Sequence, residues 1–284
     1  MAETAEVAAS IWGEKLYQQR ARKALPLLVR QAQAGEQIIY SELAEEMGMP
    51  NERNLNFVLG SIGQTIRVLS KQWNEEIPPI QCLVVNKITG LPGEGVGWFI
   101  VKEGEFKSLP RSKQREIVKA ELAKIFGYSK WPEVLKALRL SEATLDLKPL
   151  IDGASSYAGG EGPEHRRLKA YVAKHPEVIG LPISTLHGCT EKLLPSGDSL
   201  DVSFLQSREW IAAEVKPSGS PIPDILRGLF QCVKYKAVME AVQSTEGKPR
   251  AATAVLVLQG QLPPNLIPVR NTLGIRVFEN VVPR

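Results

Sequence analysis

The chain has 284 residues, 43% of them hydrophobic, enough for one large or two ordinary domains with a packed interior, which excludes disorder as the main state. Its 35 basic and 31 acidic residues leave a net charge of +4, too small for a histone-like polycation but compatible with a phosphate-rich partner. Three widely spaced cysteines, Cys82, Cys189 and Cys232, form no Cys-x-x-Cys pair and cannot all join in disulfides, so neither a disulfide framework nor a cysteine zinc site is expected.

A reducing cytoplasm is the expected setting. Met1-Ala-Glu-Thr-Ala-Glu-Val carries acidic rather than basic residues, unlike a signal peptide, and no run approaches the roughly 18 to 20 apolar residues of a membrane span, so no membrane partner is expected. Leu16, Ala24, Leu25, Leu28 and Val29 recur at helical spacing and predict an amphipathic helix over 11–33 with a basic outer face. Tyr40-Ser-Glu-Leu-Ala-Glu-Glu-Met-Gly predicts a short helix capped by Ser41, and Met49-Pro50-Asn51 a turn. Leu55, Val58, Leu59, Ile62 and Ile66 mark a second helix, and two helices about such a turn predict a helix-turn-helix or winged helix. Residues 80–86 and 97–101 read as strands around a turn-rich loop, a wing-like hairpin, and helices over 112–126 and 131–139 close this first domain.

Periodicity is lost over 141–163, where Asp152-Gly-Ala-Ser-Ser-Tyr-Ala-Gly-Gly-Glu-Gly-Pro is rich in glycine and serine. The expected division is therefore a domain over 1–140, a linker over 141–163 and a domain over 164–284. The second domain reads as a helix over 164–174, strands near 183–186, over 199–205 and over 210–216, a helix over 223–243, a strand over 252–258 and a last strand over 274–278. That predicts an α/β (α+β) sheet domain in the order αβββαβ.

Its informative residues are Gly197-Asp198-Ser-Leu-Asp201 and Glu209-Trp-Ile-Ala-Ala-Glu214-Val-Lys216. Strand side chains alternate faces, so Glu214 and Lys216 share a face with Ala212 while Ile211, Ala213 and Val215 fill the other. An aspartate early in one strand and Glu-x-Lys ending the next bring two carboxylates and an ammonium together. Hard carboxylate oxygens suit Mg²⁺, which also takes a phosphate oxygen and acts as a Lewis acid, while Lys216 positions water and offsets charge on phosphorus. Arg227, Gln231 and Tyr235 lie four apart on one helix face and would line the same cleft. Competing structural readings are Asp201 finishing a turn, Glu214 and Lys216 as an exposed cross-strand pair, and Gln231 and Tyr235 as a solvated helix face. His165, His175 and His187 lack ligand spacing and are expected at the surface or in packing. Arg166, Arg167 and Lys169 on one helix and Arg227, Lys234 and Lys236 on another would neutralise phosphates along a groove.

On these residues the second domain resembles the PD-(D/E)XK phosphodiesterase superfamily, the fold of many restriction and repair nucleases. Asp201 followed by Glu214-Val-Lys216 fits its central motif, Glu164 in Glu164-His-Arg-Arg-Leu-Lys-Ala-Tyr-Val is its acidic residue in the helix before the sheet, and Gln231-Cys-Val-Lys-Tyr235 is its Gln-x-x-x-Tyr. The likeness covers 164–278. It implies a restriction-endonuclease-like core and a Mg²⁺-dependent DNA endonuclease, with Mn²⁺ as a substitute. Asp201, Glu214, Lys216, Gln231 and Tyr235 would be catalytic, and Asp201, Glu214 and Glu164 would hold the metal. Gln231 would hold the phosphate or the attacking water, and Tyr235 would buttress Lys216 or the backbone phosphate. Glu164, in the first turn of its helix, also fits a capping role.

Residues 40–94 resemble, more loosely, the winged-helix domain of alkylguanine-DNA alkyltransferase-like proteins, through Tyr40-Ser-Glu-Leu-Ala-Glu-Glu-Met-Gly-Met-Pro50, Arg53, Val58-Leu59-Gly60 and Ile77-Pro-Pro before Val84-Val85-Asn86. The reactive Pro-Cys-His-Arg segment of that family is absent. Gln81 stands where its cysteine would be, and Cys82 lacks the histidine and arginine that follow it, so alkyl transfer is not expected. The resemblance leaves a DNA-binding module with the helix over 51–69 in a groove, or a helical domain for protein contacts.

The expected protein is a DNA endonuclease of restriction, phage defence or repair, contacting DNA through Arg227, Lys234, Arg166 and Arg53, with a homodimer left open. The alternatives are a catalytically silent nuclease-fold protein that binds DNA or regulates a partner, and a transcriptional regulator resting on the first domain alone.

Overall fold

The apolar side chains cluster separately within two compact units, Met1–Leu145 and Asp146–Arg284. The structure is a computed structural model that describes residues 8–100, 105–145, 147–148, 162–247 and 250–283. The unit boundary falls inside 141–163, most of whose residues lie outside the described ones.

In the first unit, α1 (Leu16–Ala34) buries Ala21, Ala24, Leu25, Leu28, Val29 and Ala32; of the residues whose spacing predicts the stripe, Ala24, Leu25, Leu28 and Val29 are inside, while Leu16, at the first position of the helix, is 59% exposed. Arg30 is not on a basic outer face: it is buried and paired with Glu46 at 2.7 Å. After β1 (Ile38–Ile39), α2 (Tyr40–Glu46) begins one residue before Ser41, with Ile39 at the cap position, so Ser41 does not cap it. α3 (Leu55–Trp73) packs Leu55, Val58, Leu59, Ile62 and Ile66 inward.

The expected wing is absent among the described residues. Ile80–Leu83 is a single 3₁₀ turn, β2 (Val84–Val85) pairs in parallel with β1, and Gly97–Ile100 is a short helix, α4. A continuous run of four apolar residues carries no period that separates a buried strand from a buried helix. α5 (Glu105–Ser108), α6 (Arg111–Gly127) and α7 (Trp131–Ala137) complete the unit, and the Trp131 ring nitrogen donates to the Ile125 carbonyl at 2.9 Å.

The second unit is an α/β sandwich. α8 (Pro163–Lys174) is followed by β3 (Cys189–Leu193), β4 (Ser199–Leu205), β5 (Glu209–Lys216), α9 (Ile222–Glu246), β6 (Ala251–Leu258), α10 (Ile267–Leu273) and β7 (Arg276–Phe278). The five strands lie in sequence order, antiparallel from β3 to β5 and parallel from β5 to β7.

Leu168 and Val172 of α8 pack against Val202, Phe204, Ile211, Ala213 and Val215 on one sheet face. Leu226, Leu229, Tyr235 and Met239 of α9 pack against Ala212, Ala254 and Leu256 on the other. β5 is buried along nearly its whole length, as a strand covered on both faces must be.

The strand expected at 183–186 is instead a turn with Ile183 and Leu186 exposed, and the edge strand β3 begins at Cys189. Cys-Thr-Glu-Lys-Leu is mostly exposed and polar, so this edge strand carries little apolar signal.

Candidate functional site

The antiparallel ladder between β4 and β5 runs from Leu205 opposite Trp210 to Val202 opposite Ala213 and stops there. One residue further back on β4, Asp201 turns its carboxylate to the departing strand, and its Oδ2 accepts the Val215 amide at 3.0 Å. The strands part beside this bond, and the carboxyl end of β5 opens into a cleft of about 620 Å³. The cleft thus lies at the carboxyl end of β5 beside the amino end of the antiparallel β4.

Asp201, Glu214, Lys216, Glu164, Arg227, Gln231 and Tyr235 all line this one cleft. Glu214 and Lys216 lie on the α9 face with Ala212, as alternation predicts, but both are buried, which excludes an exposed cross-strand pair. Lys216 Nζ lies 3.0 Å from Glu214 Oε1 and 3.1 Å from Asp224 Oδ1, and Arg227 Nη2 lies 2.6 Å from the same Asp224 oxygen. Tyr235 Oη lies 3.3 Å from Glu214 Oε2 and 3.2 Å from the Ser199 carbonyl, within reach to donate to either. Gln231 Nε2 donates to Tyr235 Oη at 3.2 Å, while Gln231 Oε1 is buried with no hydrogen-bond partner among the described residues.

Burial pushes the Glu214 carboxyl up to about 7, with the Asp201 charge adding to the rise and Lys216 opposing it. Burial also raises Asp201, but the His165 hydrogen bond, the Val215 amide and the His165 and Lys169 charges outweigh it and hold the carboxyl below its usual range. Desolvation lowers Lys216, and the Glu214 and Asp224 charges more than restore it, leaving a firmly protonated ammonium. The two carboxylates are thus driven apart, one ionised and one near neutrality, a pattern that marks acid–base and cation-binding clefts.

Two side chains that the sequence reading did not assign to the site belong to it. His165 Nε2 lies 3.2 Å from Asp201 Oδ2, where a surface or packing histidine was expected, and the Asp201 hydrogen bond raises its pKa. His165 precedes Leu168 and Val172 by three and seven residues, which puts it on the stripe of α8 that faces the sheet. Asp224 is the second, and its signal was its place three residues before Arg227 in the first turn of α9.

Among the described residues Glu164 makes no ion pair; it is exposed at the cleft wall, in the first turn of α8. Lys234 and Arg166 do not line the cleft. Lys234 is tied to Asp198 at 2.7 Å, and Lys169 is buried against Glu191, so the expected basic groove loses two of its charges to structural pairs. Arg53 lies in the other unit, in the exposed turn before α3. Cys82 and Cys232 are buried free thiols and Cys189 is an exposed one; burial pushes the two buried thiols well above their usual range, which removes them from nucleophilic chemistry.

No family model matches the chain, and no curated protein and no solved structure matches it. The oxygens of the cleft are hard, two carboxylates converge on it, and the mutual repulsion that helps raise Glu214 is the kind a divalent cation relieves. Among the described residues no group of three or more His, Cys, Asp or Glu side chains is placed to hold a metal ion.

Proposed function

We propose that the second unit is a metal-dependent phosphodiesterase domain of the restriction-endonuclease type acting on DNA. The observation that carries this reading is the convergence of Asp201, Glu214 and Lys216 in one cleft at the end of β5, under the N-terminal turns of α9. Mg²⁺ or Mn²⁺, held through the carboxylates of Asp201 and Glu214, would supply Lewis-acid polarisation of the phosphoryl group.

Every other contribution comes from the chain. Lys216, kept protonated between Glu214 and Asp224, presents an ammonium to charge developing on the phosphate. Gln231 Oε1, buried and unpartnered among the described residues, accepts a hydrogen bond from the attacking water. Tyr235 orients Glu214 from the far side, and Arg227 at the cleft neutralises a backbone phosphate. His165 holds Asp201 in place and keeps it ionised.

Incubation of purified protein with supercoiled plasmid should give Mg²⁺-dependent nicking or linearisation that Glu214→Ala and Asp201→Ala abolish. Thermal melting separates this from a nuclease-fold binding protein. The catalytic reading requires Mg²⁺ or Mn²⁺ to raise the midpoint of the wild type and not of Glu214→Ala. Absence of both cleavage and metal stabilisation would leave only the binding function.

A further inference from the structure

The first unit holds a cavity of its own, of about 350 Å³, lined by Gly63, Ile66 and Ser70 of α3, by Gln81 and Ile77, and by Phe99 of α4. Gln81 is 1% exposed, and neither atom of its carboxamide has a hydrogen-bond partner among the described residues. Burying an amide unpaired costs stability that an apolar side chain of similar size would not. The surrounding packing nonetheless preserves it. A Cβ on Gly63 would lie 2.6 Å from Gln81 Nε2 and would collide with the Phe99 ring, so a bare stretch of helix is what lets amide and ring lie side by side. At the rim Lys124 is paired with Glu121 at 2.8 Å and Glu76 at 3.5 Å. With Arg67 the rim carries two cations and two carboxylates, a balance that does not favour an anion.

We propose that this cavity binds a small, uncharged, planar molecule carrying a primary or cyclic amide. The ligand's N–H and C=O pair with the Gln81 oxygen and nitrogen, one donor and one acceptor on each side, and its ring lies against Phe99 between Ile66 and Ile77. The volume is at the small end of ligand pockets, which suits one or two fused rings. The assignment stands independently of the chemistry proposed for the second unit.

The test is a titration of the full chain with benzamide, nicotinamide and uracil, followed by thermal melting and calorimetry. N,N-dimethylbenzamide, which lacks the donor, and benzoate, which is charged and lacks it too, serve as controls. At least one of the three amides should bind saturably and raise the melting midpoint, and neither control should. Gln81→Met should melt above the wild type without ligand, because two unpaired polar atoms leave the interior, and should bind the same amide about ten-fold or more weakly. Phe99→Leu should stay folded and also lose affinity. Saturable binding by none of the three amides, or equal affinity in Gln81→Met, would overturn the proposal. Displacement of the bound amide by oligothymidylate would overturn its assignment to a free small molecule.

Discussion

The environment of Glu214 is at odds with its charge. Its carboxyl is shifted from an ordinary 4.5 to about 7, by burial first and by Asp201 second. Between those values the folded chain holds a proton that the unfolded chain has released, so this group's contribution to stability is present at low pH and is lost as pH rises through about 7. His165, raised by its bond to Asp201, acts in the same direction, so the slope alone does not isolate Glu214. The difference from Glu214→Gln does: in urea unfolding the wild type should lose stability relative to the variant as pH rises from 4.5 to about 7. Parallel profiles would contradict the buried, proton-holding carboxyl.

Gly228 of α9 is the second residue that the site depends on. An added Cβ would lie 2.9 Å from both Lys216 Cε and Leu256 Cδ1, so the missing side chain is the space Lys216 occupies. Alanine would gain about 1 kcal/mol of helix propensity and lose about 1–3 kcal/mol to overpacking, a small net change in stability. Gly228→Ala should therefore melt within a few degrees of wild type while losing most Mg²⁺-dependent cleavage. Full activity would show that Lys216 is not held where the geometry puts it.

Among the elements, α9 and β5 hold the site between them. Asp224 receives both Lys216 and Arg227 and is itself buried. Removing it leaves the buried Lys216 ammonium with Glu214 as its remaining carboxylate, so Asp224→Ala should cost about 1–3 kcal/mol in urea unfolding. A cost below a few tenths would mean that the pair is solvent-screened.

These elements were the legible part of the sequence. β5 declares itself because alternation of Ile211, Ala213 and Val215 with Glu214 and Lys216 survives burial, and α9 because Arg227, Gln231 and Tyr235 keep helical spacing. β3 was not legible, because an edge strand of polar residues buries too little to leave a pattern. The wing was misread because Gly97–Ile100 is apolar without a period. His165 was missed because its role comes from the β4–β5 divergence at Asp201, which no local pattern records.

For the whole molecule, the decisive feature is that the apolar clusters of the second unit draw only on residues of that unit. A fragment of residues 146–284 should fold alone and unfold in one cooperative thermal transition, read by circular dichroism. A molten fragment would show that its core needs residues 1–145. The net charge of +4 gives no strong attraction to DNA, and several basic residues of the second unit are spent on internal pairs. Under the proposed function, affinity for DNA would rest on local charge at the cleft, where a divalent cation would offset Asp201 and Glu214.

Single-turnover cleavage of supercoiled plasmid in Mg²⁺ by wild type and Lys216→Ala, each first shown to be folded, tests the central claim most directly. The predicted result is cleavage by the wild type and a rate about a hundred-fold or more lower in the variant. Equal rates in the two proteins, or no cleavage by folded, Mg²⁺-loaded wild type, would contradict it.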